Sequence, residues 1–172
     1  MQAVTQADIQ ALTADPTPER REATVVKIAS MFGGNDVDEK TSGLIEEIIR
    51  ISAHDAAVRV RRAVAEQLKH EPHLPPDIAL ALAQDIDEVA IPILRFSKAL
   101  NDDELKRIVE TEGQEKLRAI ASRLEVGESV SDALIARGDA STVATLLANE
   151  GSAPSEAGLG RAVDRFPTHE KV

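Results

Sequence analysis

The chain has 172 residues, a formal net charge of −10, three phenylalanines, and no tyrosine, tryptophan or cysteine. That length suits one domain with a core of its own, and the missing thiols exclude disulfides and thiolate metal sites. The acidic balance opposes binding to nucleic acid or anionic lipid, and the absence of stacking tyrosine and tryptophan argues against a single-strand binder.

In chain order, Thr5 opens a short helix to about Ala14, broken by Asp15-Pro16. Thr17-Pro18-Glu19 combines a capping hydroxyl, a proline at the first helical position and an acid in the first turn. The helix it starts runs to Gly33-Gly34, which suit a C-terminal cap. Asn35–Lys40 reads as a polar loop, and Leu44, Ile45, Ile48, Ile49 and Ile51 mark the next helix.

Asp55–Leu68, DAAVRVRRAVAEQL, is the clearest amphipathic segment. At about 100° per residue, Ala57, Val60, Val64 and Leu68 share one face, extended by Val58 and Ala65. Arg59, Arg62, Glu66 and Lys69 gather opposite. Arg61 falls inside the apolar arc, so its charge needs a partner, expected among Asp55, Asp85 and Asp87. A proline-rich break, HEPHLPP, precedes a helix from Asp77 to Ala83.

Asp87–Phe96, DEVAIPILRF, has a helical pattern around Pro92, which is expected to kink or interrupt it. A strand through VAIPIL is rejected, because it would have no partner. Asn101 or Asp102 caps DDELKRIVE, and Gln114–Arg123 follows the Glu112-Gly113 turn. Ser131-Asp132 begins a helix ending at Gly138, Ser141 caps STVATLLAN, and Ser155 starts a last helix to Phe166, closed by Pro167.

Ala63-Val64-Ala65, Pro92-Ile93-Leu94, Ala119-Ile120-Ala121 and Thr145-Leu146-Leu147 recur at steps of roughly 26 to 29 residues, with Lys27-Ile28-Ala29 an earlier copy at a longer step. The helices pair by length and spacing, and the second helix of each pair is expected to carry the shared core. The expected fold is all-α: a HEAT-like α-solenoid of about five helical hairpins plus a terminal helix, forming a single domain over residues 1–172. The last helix offers Ala157, Leu159, Ala162, Val163 and Phe166, more apolar surface than one neighbouring hairpin covers. Either the natural chain extends beyond Val172, or this edge pairs with another molecule, including a second copy in a homo-oligomer.

Asp55–Leu68 resembles the second helix of a HEAT repeat. Together with DEVAIPILRFS (Asp87–Ser97), LNDDEL (Leu100–Leu105), VSDALIARGD (Val130–Asp139) and LLAN (Leu146–Asn149), it makes the chain similar to the bacterial family DUF2336 over roughly residues 17 to 166. The resemblance implies a HEAT-like helical fold and supplies no catalytic residues.

His70, Glu71 and His73 could approach a zinc ion, but the loop lacks a third ligand at helical spacing, so they read as surface side chains. Asp36–Glu39 and Asp102–Glu104 lack the alternating ligands and glycine of a calcium loop. No nucleophile, phosphate-loop or dinucleotide motif is present. The expected role is therefore a non-enzymatic interaction module, without metal or cofactor, that binds a partner protein. Arg59 and Arg62 are the candidate partner-binding residues, and Asp55, Arg61 and Pro92 the structural ones. A HEAT-like enzyme or nucleic-acid-processing protein is the alternative, weakened by the sign of the charge. With neither a signal-like N-terminus nor an apolar run of about 20 residues, the expected location is cytoplasmic, without membrane contact.

Overall fold

The computed structural model describes residues 17–33 and 38–167. The expected helix Thr5–Ala14 and residues 34–37 lie outside this range. Ten helices are described: α1 (Pro18–Ala29), α2 (Glu39–Ser52), α3 (Val58–Leu68), α4 (Pro76–Ala83), α5 (Asp87–Phe96), α6 (Asp102–Thr111), α7 (Gln114–Ala121), α8 (Glu128–Arg137), α9 (Ala140–Leu147) and α10 (Glu156–Arg165). Among the described residues the only extended pairing is an isolated parallel bridge between Val126 and Ser152. The protein is all-α.

Local chemistry explains most boundaries. Asp38 accepts a hydrogen bond from the Thr41 amide at 3.0 Å and starts α2 two residues inside the expected loop. Asn101 and Glu104 form a reciprocal capping box at α6. Thr17 stands at the N-cap of α1 without a side-chain capping bond, so Pro18 and Glu19 carry that start. After Ala29 the chain tightens through bonds from Met31 to Ile28 and from Phe32 to Ala29, and reaches Gly33 at a φ of 71°.

Several expected starts move. Helix α3 begins at Val58, because Asp55 is occupied elsewhere: its carboxylate accepts from the Ala57 amide at 2.8 Å in a side-chain turn. Helix α8 begins at Glu128, three residues before Ser131, and buried Ser131 donates back to the Val126 carbonyl. Asp139, not Ser141, caps α9, accepting from the Thr142 amide at 2.7 Å. Helix α7 ends at Ala121, two residues short of the expected Arg123. Helix α5 has the expected bounds and continues through Pro92 without interruption.

The chain divides into two compact units. In the first, up to Ile93 with Ser97–Ala99, α1 packs on α2 and most closely on α3, and α2 also touches α3. In the second, Leu94–Phe96 with the chain from Leu100 onward, α6 packs on α8, α7 on α9, and α8 on α10. Packing of a helix on the next but one, as in α1 on α3, α6 on α8, α7 on α9 and α8 on α10, is the pattern of a helical repeat. The buried stripes follow the helical period: Val60, Val64 and Leu68 in α3, Leu105, Ile108 and Val109 in α6, and Leu134 and Ile135 in α8 are at most 3% exposed.

The recurring triplets are not covered alike. The third residue of the recurring triplet is 5% exposed at Ala29 and 0% at Ala65, Leu94 and Ala121, but Leu147 is 47% exposed. No described helix covers α9 on that side.

Candidate partner-binding surfaces

Arg59 and Arg62 do sit on the exposed face of α3, but both are engaged. Arg59 donates through Nε to Glu22 at 2.7 Å and through Nη1 to Glu19, both on α1. Arg62 donates to Glu88 of α5 at 2.6 Å, and Glu66 pairs with Lys69. The third basic residue of this region, Arg50, is held by Asp77 at 2.8 Å and by Glu46 and Glu47. A partner's phosphate or carboxylate would have to displace these acids. The region is a charge-neutralised face that fastens α3 to its neighbours.

Arg61 lies at the edge of the core, 16% exposed, and forks onto Asp85, itself 13% exposed. Its Nη2 is 2.9 Å from Asp85 Oδ1, its Nε binds Asp85 Oδ2, and its Nη1 donates to the Asp55 backbone carbonyl at 2.7 Å. The Asp55 carboxylate serves Arg21, at 2.7 and 2.8 Å. That hydrogen-bonded arginine holds the Asp55 carboxyl below the usual carboxylate range, and the Asp85 pairing raises the Arg61 guanidinium. Ala53, His54, Asp55, Ala56, Arg61, Ala81, Gln84 and Asp85 line an open cavity of about 520 Å³. Its Arg61 and Asp85 charges already satisfy each other, so it presents no free ionic group to capture a ligand. His54 turns Nδ1 to the Arg50 carbonyl at 3.0 Å.

In the second unit, side chains cap the carbonyls of neighbouring helix ends. Asn149 donates to the carbonyls of Ala121 at 2.9 Å and Arg123 at 2.7 Å, while its own carbonyl accepts from Gly151. Arg123 donates to the Leu94 carbonyl at 2.6 Å, and Arg165 to that of Ile135. Gln114 bridges the Arg137 carbonyl and the Asp139 amide. The last carbonyls of a helix have no partner within it, so these contacts satisfy groups that would otherwise rely on water. Burial pushes the Arg123 guanidinium down, opposed by the nearby Asp102 charge.

Between α9 and α10 the same unit leaves an apolar groove of about 270 Å³. Ala140, Val143, Ala144 and Leu147 form one wall, and Leu159, Ala162, Val163 and Phe166 the other. Each wall is an i, i+3, i+4, i+7 stripe. Leu147, Leu159 and Val163 are 47%, 44% and 69% exposed. Asp132 of α8 fixes α10 in place: it accepts from the Ser155 amide at 3.0 Å and hydroxyl at 2.6 Å, and from Arg161 at 3.1 Å. The Ser155 hydroxyl in turn caps Gly158, and these bonds hold the Asp132 carboxyl below its ordinary range.

Sequence reading found the apolar residues of α10 but not the α9 wall, because Leu147 falls in a triplet aligned with ones that are covered. The Asn149 bridge was visible only as the final letter of LLAN. Among the described residues, no group of three or more histidines and carboxylates is placed to hold a metal ion, and no helix is long and apolar enough to cross a membrane.

These features define a helical-repeat-like, all-α domain type with an open apolar edge among the described residues. Residues 89–172 match the family DUF2336, described as "Uncharacterised protein conserved in bacteria". This partial match agrees with the resemblance carried by Asp87–Ser97, Leu100–Leu105, Val130–Asp139 and Leu146–Asn149, while Asp55–Leu68 lies outside it. No curated protein and no solved structure matches the chain.

Proposed function

We propose that this protein is a non-enzymatic, HEAT-like interaction module that binds a partner protein through the groove between α9 and α10. The observation that carries the reading is the exposure of Leu147, Leu159 and Val163 along one continuous groove. Large aliphatic side chains gathered in this way mark interaction surfaces, whereas scattered ones do not. The repeat-like packing supports the class, since stacked helical repeats commonly serve as binding scaffolds. That Arg59 and Arg62 are engaged by Glu22 and Glu88 supports reading the contact surface at α9–α10 rather than at α3.

The test is photo-cross-linking in the cells that make the protein. A photoreactive amino acid replaces Val163 in one version of the full chain and the exposed Glu110 of α6 in another. The reading expects a discrete adduct with a second protein species from position 163 and none from position 110. Equal labelling from both positions, or none from 163, contradicts it.

A further inference from the structure

We infer that the α9–α10 groove receives a short amphipathic helix from the partner, with an aliphatic stripe in the groove and lysine or arginine along one flank. The inference rests on the interaction-module reading and specifies the occupant.

Shape comes first. Both walls are helical stripes with the spacing that a third helix meets in a groove. Inside the second unit, α9 already lies on α7 and α8, and α10 lies on α8. One more helix on α9 and α10 extends that packing and covers Leu147 as its counterparts Ala65, Leu94 and Ala121 are covered.

Size argues against a second copy of the whole chain. The groove has eight lining residues, whereas a stable interface of standard size uses roughly 20–30 residues a side. Two or three helical turns fill it.

Charge selects the flank. On the helical wheel Glu156 falls about 20° from Val163 and Asp164 about 100° from it, both on the side of α10 away from α8. Both are exposed, and among the described residues neither forms an ion pair. Arg161 of α10 is turned to Asp132, on the far side from Val163, while Arg165 donates to the Ile135 carbonyl and lies 4.8 Å over the Phe166 ring at the end of the groove. The flank beyond Val163 is therefore anionic, as is the chain as a whole at −10, and Arg165 places a cation at the opposite, Phe166 end. A cationic flank on the incoming helix gains from that field, and an acidic flank is repelled.

Fluorescence anisotropy on the 172-residue chain tests this with three labelled synthetic helical peptides. One carries a leucine stripe with a lysine flank, one has the same composition in scrambled order, and one has the leucine stripe with a glutamate flank. The lysine peptide is expected to bind at least about tenfold more tightly than either control. Val163→Glu is expected to weaken it by about tenfold or more, and Glu156→Lys/Asp164→Lys to reverse the preference between the lysine and glutamate peptides. Both sites are exposed, so the variants should retain the wild-type melting curve, which circular dichroism checks. Equal binding of the scrambled peptide, or an unchanged affinity in Val163→Glu, overturns the inference. So does sedimentation showing a homodimer that Val163→Glu dissociates, since the occupant is then a second copy. If no peptide binds while position 163 still cross-links to a protein, the helical occupant is wrong and the interaction module stands.

Discussion

The two compact units fasten neighbouring helices by different chemistry. In the first, the ties are ion pairs between side chains: Arg21–Asp55, Arg59 with Glu19 and Glu22, Arg61–Asp85 and Arg62–Glu88. In the second, several are hydrogen bonds from a side chain to the carbonyls of a neighbouring helix end, as at Arg123, Asn149 and Arg165. A carboxylate can be protonated and an exposed ion pair screened by salt; a backbone carbonyl does neither. The first unit should thus respond to acid and salt where the carbonyl ties of the second do not. The second should suffer more when a neutral residue at a helix end is changed.

The largest expected effect lies in the second unit, at Gly151. A Cβ there would overlap the Leu124 carbonyl oxygen, which is backbone and cannot swing aside. Gly151→Ala should cost about 3 kcal/mol, read from denaturant unfolding. Asn149→Ala, which strands two carbonyls without adding bulk, should cost about 2 kcal/mol. If both variants unfold like the wild type, the carbonyl-capping account of this unit is wrong.

In the first unit, Arg61→Ala should cost about 2–3 kcal/mol, somewhat less than a fully buried pair because the site keeps some solvent contact. Arg62→Ala should stay within about 0.5 kcal/mol, since its pair with Glu88 is half exposed. Similar losses in the two variants would erase the distinction between them.

Acid provides a smaller and more selective probe. The folded Asp55 carboxyl titrates below its unfolded value because Arg21 and the Ala57 amide favour the charged form. Its contribution is present above the unfolded pKa of about 3.9 and is lost as pH falls through the lower folded value. The stability difference between wild type and Asp55→Asn should therefore be at its full value from about pH 5 upward and shrink below about pH 3.9. A difference that stays constant down to pH 2 would show that the Arg21 pair does not set it. The smallest effect is expected at Val163→Glu, where a 69% exposed side chain should leave the melting temperature almost unchanged.

Much of the fold was legible because it is periodic. The limits of α5 follow from DEVAIPILRF, and the burial of Val64, Ile93, Ile120 and Leu146 follows from the recurring triplets. Helix starts were less legible where several residues could cap: Gly127 begins α8 although Ser131 looked the better candidate, and Asp139 pre-empts Ser141. Arg61 could be flagged as needing a partner from its place in the apolar arc. Its carboxylate, Asp85, could not be separated from Asp55 or Asp87 before the loop geometry was known. Leu147 shows the limit most clearly. Its neighbours in sequence mark it as core, yet whether it is covered depends on a helix beyond its own repeat.

The most direct measurement is hydrogen–deuterium exchange of the 172-residue chain with and without the lysine-flanked peptide. The account predicts added protection confined to α9 and α10, with α3 around Arg59 and Arg62 unchanged. Protection on α3, or none on α9 and α10 at saturating peptide, would contradict it.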